Sequence, residues 1–120
     1  MKIWHDDIRR PPDDTWTWAR TNEAAIALLE TNSVVEISMD NDLGLHDLDP
    51  DAELAIYQAG PLDEGWKLAV WMVANGKVPE TVRVHSLNNV RAKYITDYLN
   101  DHGYDAILDP FKPPTSRKEV

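Results

Sequence analysis

The chain has 120 residues, 42% of them hydrophobic, which is enough for one globular domain around one core. With 21 acidic against 12 basic residues the formal net charge is −9, and this argues against a general DNA-binding surface, because affinity for phosphate backbones comes largely from Lys and Arg. Cysteine is absent, which excludes a disulfide framework and any thiolate metal site.

Lys2 to His5 is short, apolar at Ile3 and Trp4, and runs into DDIRRPPDD, whose prolines and charges stop regular structure. This predicts a strand followed by a loop. The opening MKIWHDD carries acidic residues where a signal peptide needs an apolar run, and no stretch reaches transmembrane length, so no membrane contact and a cytoplasmic location are expected. TWTWAR is a second strand, with Trp16 and Trp18 two apart and hence on one face. Thr21 caps a helix that runs to about Glu30, with Ile26 and Leu29 on its core stripe.

SVVEISM is the third strand. Its Val34, Val35, Ile37 and Met39 leave little polar surface, as expected of a central strand covered on both sides. A short helix is expected within the following insert, with Asp49 as N-cap, Pro50 at the first position and Gly60 after the end. From Pro61 to Asn75, the spacing of Leu62, Trp66, Val70 and Val73 predicts a further helix. TVRVHS is the fourth strand, with Val82 and Val84 facing one way. NNVRAKYITDYLNDHG is a helix with Val90, Tyr94, Ile95 and Tyr98 on the buried face and Gly103 as its stop. YDAIL is the fifth strand. Residues 1–110 form one domain, and 111–120 a proline-bearing polar tail expected to be mobile.

Strands alternating with helices imply an open, mostly parallel five-stranded sheet with helices on both faces, a three-layer α/β sandwich. Ligands of such sheets bind outside the carboxyl ends of the strands. Three polar clusters lie there: His5, Asp6 and Asp7 after the first strand, Asp40, Asn41 and Asp42 after the third, His85 and Ser86 after the fourth. Each alone has an ordinary explanation, a loop opening, a turn or a helix cap. Together they would bring four carboxylates, Asp6, Asp7, Asp40 and Asp42, to one edge, where they raise one another's pKa values unless a cation compensates them. Oxygen ligands of this kind suit Mg²⁺, Mn²⁺ or Ca²⁺ rather than zinc. By contrast DLDPD, with Asp47, Asp49 and Asp51, starts like an EF-hand loop but lacks the turn glycine and has Gln58 at the twelfth position, so helix capping explains it better.

In their order, KIWHDDIR, ISMDNDLG, EGWKLAVWM and VRVHSLN resemble the cyclic-phosphate-processing receiver-like domains, bacterial and phage relatives of the response-regulator receiver. The likeness runs from Lys2 to about Leu108. It implies a flavodoxin-like sheet of order 2-1-3-4-5, an acidic Mg²⁺ or Mn²⁺ pocket from Asp6, Asp7, Asp40 and Asp42, Asp40 at the receivers' phosphoacceptor position, and Ser86 at their hydroxyl position after the fourth strand. It also implies action on cyclic phosphates, such as the 2′,3′-cyclic ends left by RNA cleavage, in RNA repair or phage-host conflict. The chain departs from the family pattern at Asn41, where members carry a histidine, at Trp66 and Lys67, where they carry Tyr-Asp, and at His5, a place usually apolar.

The leading expectation is metal-assisted hydrolysis of a cyclic-phosphate nucleotide or RNA end. Asp40, His85, Ser86 and His5 are the catalytic candidates, with His85 as general acid or base; Arg9 and Asn88 are the substrate-binding ones. Two rivals stand beside it. A signalling receiver would phosphorylate Asp40, but receivers carry a lysine ending the fifth strand, where this chain reads Leu108, Asp109 and Pro110. A binding module would hold a nucleotide or a protein partner, with the segment from Leu43 to Gly60 as a lid or contact surface.

Overall fold

The computed structural model describes residues 1–43, 63–86 and 89–109. In chain order these form β1 (Lys2–His5), β2 (Trp16–Ala19), α1 (Asn22–Thr31), β3 (Glu36–Met39), β4 (Asp42–Leu43), β5 (Asp63–Glu64), α2 (Trp66–Ala74), β6 (Thr81–Val84), α3 (Asn89–Asp101) and β7 (Ala106–Leu108). The helix expected between Asp49 and Gly60, the stripe residue Leu62, the candidate Asn88 and the polar tail lie outside the described residues.

Five strands make one parallel sheet in the order β2-β1-β3-β6-β7. Counting only the strands of this sheet, that is the expected 2-1-3-4-5 of a flavodoxin-like α/β fold. The difference in numbering comes from β4 and β5, which pair antiparallel as a separate ribbon. Asp63 and Glu64 had been expected to open a helix; pairing with Asp42 and Leu43 holds them extended instead, and α2 starts at Trp66.

Register places Ile3, Ile37 and Val82 in one row, and His5, Met39 and Val84 in the next row of the same face. Against this face pack Ala25 and Leu29 of α1, Leu68, Ala69 and Met72 of α2, and Ala92, Ile95 and Leu99 of α3, all in one buried cluster. Among the described residues, then, the helices cover one face, where helices on both had been expected. Between β1 and β2 the paired prolines of DDIRRPPDD withhold amide donors, and that connection is a loop.

The helix stripes are rotated from those the large side chains suggested. Val90 and Tyr94 are exposed, as is Val70, while small or polar residues such as Ala69, Ala92 and Thr96 are buried. Thr21 caps α1 as expected, its side chain accepting the Ala24 N–H at 3.0 Å. Gly103 follows α3 with φ +90, a conformation that L side chains rarely adopt. Among the described residues no helix is long and apolar enough to cross a membrane.

Candidate functional site

Hydrogen-bond ladders continue one residue beyond the strands. The Asp6 N–H donates to Ala19 O at 3.1 Å, the Asp40 N–H to His5 O at 2.9 Å, and the His85 N–H to Met39 O at 2.8 Å. Asp6, Asp40 and His85 are thereby fixed at the carboxyl edge of three adjacent strands, β1, β3 and β6. Asp6, Asp7 and Asp40 are all buried, and each offers a carboxylate oxygen within 4.8 Å of the others.

The two best-defined carboxylates have opposite environments. Burial raises the Asp6 pKa, but hydrogen bonds from His85 and from the Arg9 and Ile8 amides outweigh it and hold the group below its ordinary value. For Asp40, burial and then the charge of Asp6 push the pKa from 3.8 up to about 6, against the opposing pull of His85, Arg9 and a hydrogen bond with Ser86. The mutual repulsion expected of the cluster therefore falls on Asp40.

Arg9 lies over this pair, its Nη1 3.4 Å from Asp6 Oδ2 and 3.5 Å from Asp40 Oδ2. His85 Nε2 is 2.9 Å from Asp6 Oδ2, its Nδ1 is 2.7 Å from Ser38 Oγ, and its ring stacks on Trp4 with centroids 4.1 Å apart. With Asp6 ionised, Nε2 is the donor, and Nδ1 accepts from the Ser38 hydroxyl while the ring is neutral. Trp18 Nε1 donates to Asp6 O at 2.6 Å, and the Arg20 guanidinium donates twice to Asp7 O while lying 4.9 Å from the Trp18 ring centroid. The backbone of the Asp6-Asp7 turn is thus tied down from β2.

Two expected site residues fall elsewhere. Strand alternation turns His5 toward the helices, where its Nε2 lies 2.8 Å from Asn22 Oδ1 at the start of α1. It braces the strand end from behind the carboxylates. Asp42 is outside the group of three: β4 leads the chain away into the ribbon with β5, and Asp42 Oδ1 accepts from Asn41 Nδ2 at 3.0 Å. Asn41 is itself fully buried; Nδ2 also reaches Glu64 Oε1 at 3.4 Å, and Oδ1 accepts the Trp66 N–H at 3.2 Å. At this position the side chain joins the third strand to the start of α2.

Gly65 explains why that corner can close. Its N–H donates to Asn41 O at 2.7 Å, and a Cβ there would lie 1.9 Å from Asp40 O. The backbone of α2 thus touches the backbone of the central carboxylate. Ser38, Trp4, Arg20 and Gly65 were not singled out from the sequence. For the first two a signal existed: each stands two residues before an aspartate at the edge, on the same face of its strand.

A donor set made wholly of buried carboxylate oxygens fits a hard divalent cation, and Asp6, Asp7 and Asp40 are the residues that could hold one. Sheet order and the buried carboxylate cluster at the strand ends define a receiver-like α/β domain. More particularly, the family of the cyclic-phosphate processing receiver domain matches residues 1–101, and the chain belongs to that family. No curated protein and no solved structure matches the chain.

Proposed function

We propose that this protein is a metal-dependent phosphoesterase of the cytoplasm acting on cyclic phosphates, either 2′,3′-cyclic RNA ends or small cyclic nucleotides, in RNA repair or phage-host conflict. The observation that carries the reading is the grouping of Asp6, Asp7 and Asp40, buried and with carboxylate oxygens within 4.8 Å of one another, with the Arg9 guanidinium beside Asp6 and Asp40. Mg²⁺ or Mn²⁺ held by these carboxylates would lower the pKa of a bound water and set positive charge against the phosphate oxygens.

The chain's own groups divide the remaining work. Arg9 presents a planar donor fork suited to a phosphate, and the Ser86 hydroxyl beside Asp40 can donate to a non-bridging oxygen. His85, expected to meet the substrate as acid or base, is buried with both ring nitrogens engaged, so its part is to orient Asp6.

A second reading is favoured by the Asp40–Ser86 hydrogen bond, which pairs a strand-end aspartate with a neighbouring hydroxyl as a phosphoryl-accepting receiver would. In it Asp40 accepts a phosphoryl group and the protein changes partners without hydrolysing cyclic phosphates. The experiment that separates the two takes metal-stripped protein restored with Mn²⁺ or Mg²⁺, a panel of 2′,3′- and 3′,5′-cyclic nucleotides, phosphorus NMR, and Asp40→Asn as control. Metal-dependent ring opening that the control lacks supports the esterase. Absence of turnover, with a mass gain at Asp40 from a small phosphodonor, would replace it with the receiver reading.

A further inference from the structure

Arg9 occupies an unusual position for a substrate-binding residue, because its guanidinium already has anions. One nitrogen, Nη1, serves Asp6 Oδ2 at 3.4 Å and Asp40 Oδ2 at 3.5 Å, and these two residues supply two of the three grouped carboxylates. Both separations are longer than the usual charge-assisted hydrogen bond, and both are made by the same nitrogen. The Arg9 side chain is 20% exposed against 0% and 3% for its partners, so it lies on the solvent side of them.

Its backbone is anchored at both polar groups. The Arg9 N–H donates to Asp6 Oδ1 at 2.8 Å, and Arg9 O accepts from Trp4 Nε1 at 2.8 Å. The root of the side chain is thus fixed beside the carboxylates. A divalent cation needs carboxylate oxygens at roughly 2.0–2.6 Å and repels a guanidinium at the same place. A cation and Arg9 would compete for the same oxygens.

We propose that Arg9 is an exchangeable internal counter-ion: it neutralises Asp6 and Asp40 when no metal is bound, and moves to the substrate's phosphate when the metal enters. This rests on the reading of Asp6, Asp7 and Asp40 as metal ligands. It follows by linkage that metal and phosphate bind with positive cooperativity, since a phosphate that draws Arg9 away frees the carboxylates for the cation, and the reverse. The free enzyme thereby resists loading with metal until an anion arrives.

Mn²⁺ binding to the folded, metal-stripped protein, followed by calorimetry with and without inorganic phosphate, tests this in the wild type, Arg9→Gln and Arg9→Lys. Arg9→Gln is expected to bind Mn²⁺ at least about fivefold tighter than the wild type without phosphate, and to lose the tightening that phosphate gives the wild type. Arg9→Lys, which keeps a cation over the carboxylates, is expected to return Mn²⁺ affinity toward the wild-type value. Equal or weaker Mn²⁺ binding by Arg9→Gln, with its thermal unfolding still cooperative, would make Arg9 a structural brace and overturn the inference while leaving the metal site standing. If neither the wild type nor Arg9→Gln bound Mn²⁺, the metal-site reading would fall and this inference with it.

Discussion

Replacing Asp40 with Asn should make the metal-free protein more stable near neutral pH, although it removes a group at the centre of the site. A carboxyl whose folded pKa exceeds its unfolded value binds a proton more tightly in the folded state, so its ionisation costs folding free energy as pH rises between the two values. For Asp40 those are 3.8 and about 6, a gap that at about 1.4 kcal/mol per pH unit sets a ceiling of about 3 kcal/mol. The weakened attraction of Arg9 and the altered Ser86 hydrogen bond reduce the gain, leaving roughly 1–2 kcal/mol above about pH 6. Asp6, whose pKa is lowered, gives the opposite slope, but at pH values below about 4. The assay is thermal or urea unfolding of both proteins in chelator at about pH 4 and at about pH 7.5, then with added Mg²⁺. The variant is expected to match the wild type in acid, to unfold roughly 4–8 °C higher at the upper pH, and to gain nothing from Mg²⁺, which should stabilise the wild type. A variant less stable than the wild type at about pH 7.5 without metal would refute the claim that Arg9 offsets the buried Asp40 charge only in part.

Gly65→Ala would drive a Cβ into Asp40 O, 1.9 Å away, and is expected to cost about 2–3 kcal/mol in urea unfolding and to weaken Mn²⁺ binding; a loss below about 0.5 kcal/mol would show that α2 can retreat freely. His85→Phe keeps a ring against Trp4 but deletes the bonds to Asp6 and Ser38, so a loss of about 1–3 kcal/mol is expected, and unchanged stability would show that these bonds do not hold Asp6. Thr21→Ala removes the α1 cap at a cost of about 1 kcal/mol by the same unfolding measurement, with Mn²⁺ affinity unchanged; a change in affinity would reveal coupling through Asn22 and His5.

The strands were legible because alternation is local, and the edge rule for parallel sheets carried Asp6, Asp7, Asp40, His85 and Ser86 to one place from three distant segments. Side-chain direction was less legible. His5 adjoins Asp6 in sequence, but the pleat sends it to the opposite face, where it meets Asn22. Asp42 was misplaced because its position depends on pairing with Glu64, a contact between distant residues with no local signature. The helix faces misled for a different reason: a helix packed on a sheet can present small residues to it, so Ala69 and Ala92 are buried while Val70 and Val90 face outward.

The crossover topology has a consequence for folding kinetics. The strands that end at Asp6, Asp40 and His85 are neighbours in the sheet but distant in sequence, and parallel neighbours can be joined only after the segments between them have condensed. The carboxylates can therefore meet only once these long-range strand pairings have formed. If these pairings form after the rate-limiting barrier, a cation that relieves the repulsion acts chiefly by slowing unfolding, with little effect on the rate of folding. Occupancy of the site would then lengthen the lifetime of the native protein, and loss of the ion would leave a chain that opens sooner.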